Sequence, residues 1–142
     1  MSDADFKKSQ VIGFEEYKLE EDWGEFYKPD LVFTKDKIII FLESSSTGDR
    51  KPHVGELTQF LSFVNCNYNK FDEFYYVLIL CGNGKSPPKD DRELKRLQFF
   101  YDRFALLPCA RKKIKGIYVK NQESATLSIM LEEIQNYTSI IL

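Results

Sequence analysis

Two acids set the chemistry this chain can support. Asp30 and Glu43 lie at the open ends of the stretch YKPDLVFTKDKIIIFLESSS, residues 27–46. Between them Leu31, Val32, Phe33 and Thr34, then Ile38, Ile39, Ile40, Phe41 and Leu42, are almost all β-branched, aromatic or aliphatic. A short polar insert with Asp36 and Lys37 separates these two runs, which therefore read as the strands of a hairpin. With Asp36 and Lys37 as the central turn residues, Lys35 pairs with Ile38, Thr34 with Ile39, and, continuing outward, Asp30 faces Glu43. Opposed side chains on one face of an antiparallel pair stand about 4.5 to 5.5 Å apart at Cβ, where like charges repel. A cation between the carboxylates relieves that repulsion. A four-residue loop centred on the same pair keeps the register, whereas a three-residue loop shifts it by one and separates the acids. Carboxylate oxygens suit a hard divalent ion, and Mg²⁺ is commonly held by one or two carboxylates together with waters and substrate phosphate. Such an ion supports phosphodiester hydrolysis.

The elements that must position the acids follow in order. Residues 1–10 hold Ser2, Asp3, Asp5, Lys7 and Lys8, offer little to bury, and are expected to be loosely ordered. Val11 to Leu19 fits a strand slightly better than a helix, and Asp22, Trp23 and Gly24 mark a turn into the hairpin. Beyond Glu43, residues Ser44 to Asp49 read as a loop closed by Pro52. A helix follows, with Val54, Leu57, Leu61 and Val64 as its core stripe and Glu56, Gln59 and Phe63 on a neighbouring face. Phe74 to Cys81 is nearly continuously apolar and reads as a central strand covered on both faces. The GNGKSPP segment after it matches no phosphate-binding loop and reads as a connection. Asp90 to Leu106 is expected to be helical, with Pro108 ending it and Phe99, Phe100, Tyr101 and Phe104 in the core. Ile114 to Val119 reads as a strand, and Leu127, Met130, Leu131 and Ile134 as an amphipathic helix.

That order describes an α/β chain: a mixed central sheet, with the acidic hairpin at its start, flanked by helices. A length of 142 residues suits one domain. Apolar residues at 43% and charged residues at 30% are ordinary for a soluble globular protein. No apolar run approaches the roughly 20 residues that span a bilayer, and the N-terminus lacks a secretory apolar core. Cys66, Cys81 and Cys109 are odd in number and widely spaced, which supports neither a disulfide framework nor a zinc site and suits a cytoplasmic setting. They read as small buried hydrophobes. The net charge of −2 does not advertise a nucleic-acid binder in bulk.

Pro29-Asp30, then Glu43-Ser44-Ser45, on a hairpin followed by helix, strand, helix and strand, resembles the core of the PD-(D/E)xK nuclease superfamily, the restriction endonuclease-like fold. The likeness spans roughly Tyr27 to Val119 and implies a single PD-(D/E)xK-like domain over residues 1–142. It implies Asp30 and Glu43 as ligands of Mg²⁺, with Mn²⁺ as a substitute, and nucleic acid, DNA rather than RNA, as the partner. Gln59 with Phe63 is similar to the Q-x-x-x-Y signature of RecB-like members and implies a substrate contact.

One position departs from the pattern: the family's lysine, two residues after the glutamate, is Ser45. A serine carries no positive charge to the scissile phosphate. Either Lys51 or Lys28 supplies the cation, or the site is inactive. Ser45 is then a substrate contact, as is His53, the single histidine, which could touch phosphate or move a proton; its bland reading is a solvated residue near a helix start. Arg111, Lys112, Lys113 and Lys115 could hold a phosphate backbone or simply face water. One of Glu15, Glu16, Glu20 and Glu21 could complete the metal set, though such a run is more often a solvated face. Two functions are therefore expected in competition. The first is a small Mg²⁺-dependent nuclease; the second is an inactive member of the same fold serving as a nucleic-acid-binding or regulatory subunit. With little room for a sequence-reading domain, recognition would fall to DNA structure, a homodimer or a partner subunit.

Overall fold

The computed structural model describes residues 6–24, 26–45, 50–81, 90–122 and 126–142. The hairpin forms as read from the sequence: β3 (Leu31–Lys35) and β4 (Ile38–Ser45) pair antiparallel from Lys35 opposite Ile38 to Leu31 opposite Leu42. Its loop is the two residues Asp36 and Lys37, and Asp36 adopts φ 54°, a left-handed conformation that Asp tolerates better than most residues. β4 extends three residues past the apolar run, through Glu43, so Ser44 and Ser45 are strand rather than loop.

From β4 the chain rises through α2 (Arg50–Asn67) into β5 (Glu73–Leu80), then through α3 (Asp90–Arg103) and the single turn α4 (Pro108–Arg111) into β6 (Ile114–Asn121). β4, β5 and β6 are parallel neighbours. Completed by β2 (Glu15–Glu16) beside β3 and β8 (Thr138–Ser139) beside β6, the sheet is mixed and six-stranded, in the order β2-β3-β4-β5-β6-β8.

Alternation along the strands divides the core in two, because successive side chains leave opposite faces. Ile39, Phe41, Tyr76, Leu78 and Val119 meet Leu57, Phe60, Leu61 and Val64 of α2 and Leu97 and Tyr101 of α3. Ile40, Leu42, Tyr75, Val77 and Ile79 meet Phe6, Val11, Leu127, Ile129 and Ile134 on the other side. β5 is buried on both faces, as its unbroken apolar run predicts.

Several expectations are corrected. Phe6 is 1% exposed, and β1 (Gln10–Val11) pairs with β7 (Ser128–Ile129) in a second small sheet, so residues 6–11 are anchored rather than loose. Residues 11–19 supply only the two-residue strands β1 and β2, separated by Gly13 at φ 85°; α1 (Glu21–Gly24) follows. The helix expected over residues 127–134 shrinks to α5 (Leu131–Ile134), since Ser128 and Ile129 are drawn into pairing. α3 stops at Arg103, and Pro108 opens α4 instead of ending α3. Phe99 and Phe100 are 48% and 39% exposed, leaving Tyr101 as the buried aromatic of that run and Phe104 packed at the margin. Cys81 is buried, but Cys66 and Cys109 are exposed. The GNGKSPP connection lies outside the described residues. Among the described residues, no helix is long and apolar enough to cross a membrane.

Candidate functional site

Asp30 sits one residue beyond β3, and the register carries it opposite Glu43. The two interlock through the backbone. The Asp30 amide donates to Glu43 Oε1 at 3.0 Å, while Asp30 Oδ2 accepts from the Ser44 amide at 2.8 Å and from Ser44 Oγ at 3.2 Å. Glu43 follows Phe41 in the alternation and so points to the face covered by α2; it is 3% exposed. There it meets Glu56, half-buried on α2. Burial first, then the charges of Glu56 and Asp30, push Glu43 up to about 10, with the Asp30 amide working in the opposite sense. Glu56 is raised to about 7 by burial, against the pull of its hydrogen bond with Glu43. Burial and the neighbouring acid charges thus disfavour ionisation of both carboxyls.

Two tyrosines close this cluster from the protein interior. Tyr27 and Tyr76 are raised well above 10, first by burial and then by Glu43 and Glu56, so both hydroxyls stay neutral. The hydroxyls of both residues, and Glu56 Oε2, are buried without a hydrogen-bond partner in the protein. Buried polar atoms are ordinarily paired.

Among the described residues, no group of three His, Cys, Asp and Glu side chains is disposed to hold a metal ion. The carboxyls of Asp30, Glu43 and Glu56 do converge, with Glu43 and Glu56 in direct contact. The carboxyls of Asp30 and Glu43 match in number the one or two that Mg²⁺ commonly takes from protein, and metal binding displaces protons from its ligands. The orphaned hydroxyls beside them are polar atoms of the kind a hydrated ion's water shell engages.

A second polar line runs from the end of the same strand. Ser45 leaves β4 on the Glu43 face, and its Oγ lies 2.7 Å from His53 Nε2. His53 Nδ1 lies 2.5 Å from Glu93 Oε2, and the other oxygen of Glu93 accepts from Arg96 at 2.8 Å. His53 and Glu93 are both 0% exposed, so His53 is neither solvated nor open to phosphate.

The remaining expected residues scatter. Gln59 is exposed on α2, and it is Glu56 that reaches the acids. The side chain of Lys51 lies outside the described residues. Lys28 is exposed and lines, with Lys7, Lys18 and Asp30, a groove of about 710 Å³. The basic cluster is in part structural: Lys113 donates to the carbonyls of Tyr68 and Phe71 at 2.6 and 3.2 Å, and Arg111 stacks over Tyr101. Glu15, Glu16 and Glu20 are exposed, with Glu20 reaching Lys70 at 3.4 Å, and the side chain of Glu21 lies outside the described residues.

Glu56 and Glu93 were missed from sequence, although each carried a signal. Glu93 precedes Leu97 and Tyr101 by four and eight positions, which puts an acid on the buried stripe of α3. Glu56 lies four before Phe60, on the side of α2 that turns to the sheet. No known protein family matches this chain, and no curated protein does.

Proposed function

We propose that the protein is a metal-dependent phosphodiesterase acting on nucleic acid, DNA in preference to RNA, on a restriction endonuclease-like fold. The observation that supports it is the convergence of Asp30, Glu43 and Glu56 at the ends of β3 and β4, where acids that repel one another sit in apolar surroundings. Asp30 and Glu43 would hold Mg²⁺, or Mn²⁺ in its place. Bound there, the ion would polarise a phosphoryl oxygen and make a coordinated water more acidic. Glu56, near neutrality in its titration, is placed to accept a proton at the same spot. Lys28, with Lys7 and Lys18 along the groove past Asp30, supplies the positive charge that Ser45 lacks and would steer a phosphate backbone. Specificity would come from DNA shape or from a homodimer or partner subunit.

The raised titration of Glu43 favours the second reading, a non-catalytic nucleic-acid-binding or regulatory subunit, because a proton held there competes with a metal. One experiment separates the two. Purified protein is incubated with plasmid, branched and single-stranded DNA in Mg²⁺ or Mn²⁺ beside Asp30→Ala. Cutting lost in the variant supports the nuclease; cutting that persists sinks the assignment, and none by either protein selects the second reading.

A further inference from the structure

Ser45, His53 and Glu93 stand in the relation of nucleophile, base and orienting acid. That constellation is recognised by geometry and roles, since it recurs on unrelated folds in different chain orders. Here the three residues come from three elements: the end of β4, the first turn of α2 and the first turn of α3. With its proton on Nδ1, the His53 ring donates to Glu93 Oε2 at 2.5 Å and accepts the Ser45 hydroxyl on Nε2 at 2.7 Å. Arg96 fixes the other Glu93 oxygen at 2.8 Å, so that the carboxylate cannot swing away from the ring. Base and acid are sealed from solvent while Ser45 is half-buried, the triad residue nearest the surface. Because His53 lies in the first turn of an 18-residue helix and touches Ser45, the positive end of that helix dipole lies beside the hydroxyl, where it favours a developing oxyanion.

We propose that Ser45, His53 and Glu93 form a nucleophilic triad that hydrolyses an uncharged carboxylic ester. Ser45 Oγ forms a bond to the carbonyl carbon as its proton moves to His53 Nε2. The carbon–oxygen bond to the leaving alcohol then breaks, and the alkoxide takes that proton. Water attacks the acyl-serine, gives a proton to His53, and Ser45 Oγ recovers it on release of the acid. Arg96 is a positioning residue that acts through Glu93. Asp30, which accepts from the adjoining Ser44, disfavours anionic acyl groups. Nothing in this scheme needs a metal, so it stands or falls apart from the phosphodiesterase reading.

The test is run on the full chain in EDTA with an alkyl fluorophosphonate, which transfers its phosphonyl group to an activated serine with loss of fluoride. Peptide mass spectrometry is expected to place one adduct per chain on Ser45. Ser45→Ala should abolish it, and His53→Gln should slow it by about 100-fold or more, the usual contribution of a general base. Hydrolysis of p-nitrophenyl acetate with a burst of about one equivalent per chain should accompany it. No adduct at Ser45 under conditions that label a known serine esterase overturns the proposal, as does equal labelling of a folded His53→Gln. If circular dichroism shows that variant unfolded, wild-type labelling and the burst decide alone.

Discussion

At Glu43, burial and two neighbouring acids oppose ionisation. Its titration is raised in the folded state, so the folded chain binds more protons than the unfolded one between about 4.5 and 10. Stability is then fully present below the ordinary carboxylate range and declines as pH rises toward the folded value. Glu56, raised to about 7, adds to the lower part of that decline. Thermal melting is expected to fall from pH 5 to pH 9, and Glu43→Gln, which keeps the donor but cannot ionise, should flatten the slope; equal slopes for both proteins would refute the assignment. Metal binding has the opposite sense, since the ion competes with the proton. Calorimetric Mn²⁺ binding is expected to strengthen as pH rises from 6 to 8.5 and to vanish in Glu43→Ala; binding unchanged in that variant would remove Glu43 as a ligand.

The hairpin is the element on which the acid pair depends. Its two-residue loop fixes the register, and the register puts Asp30 beside Glu43. A β-branched side chain is poorly accommodated at the left-handed φ of Asp36, so Asp36→Val should cost about 1–2 kcal/mol in urea denaturation while Asp36→Gly stays close to wild type. Equal effects of the two would mean that the turn is not strained at that residue. α2 carries the other half of both polar lines, since His53 and Glu56 share a helix with Leu57, Phe60 and Leu61. Leu57→Ala removes a fully buried side chain and is expected to destabilise by about 2–5 kcal/mol on denaturant titration.

Over the whole molecule, the sheet ends are closed by short strands at opposite ends of the chain, β2 and β8. The C-terminal segment also ties to α3, where Gln98 bonds both the amide and the carbonyl of Ile141 at 2.7 and 2.8 Å, and Ile140 is buried. Truncation after Tyr137 bares the edge of β6, a template for pairing with other chains. A lower melting temperature and concentration-dependent light scattering are the expected results; an unchanged melt would show that β8 is dispensable.

What is local in this fold is legible in the amino-acid sequence. Strand periodicity, a two-residue polar turn and an unbroken apolar run specify the hairpin, its register and the central strand, because each depends on neighbours a few residues away. Asp30 opposite Glu43 followed from that register. Which side chains α2 and α3 deliver to the hairpin's open end was decided only by tertiary structure, since it depends on how each helix rotates and docks across the sheet. Glu56 therefore meets Glu43 from the following helix, and Glu93 meets His53 from a sequence separation of 40. The C-terminal elements differ from their periodicity for the same reason: Leu127, Met130, Leu131 and Ile134 have helical spacing in the sequence, but β1 offers the intervening Ser128 and Ile129 backbone partners that local periodicity cannot register.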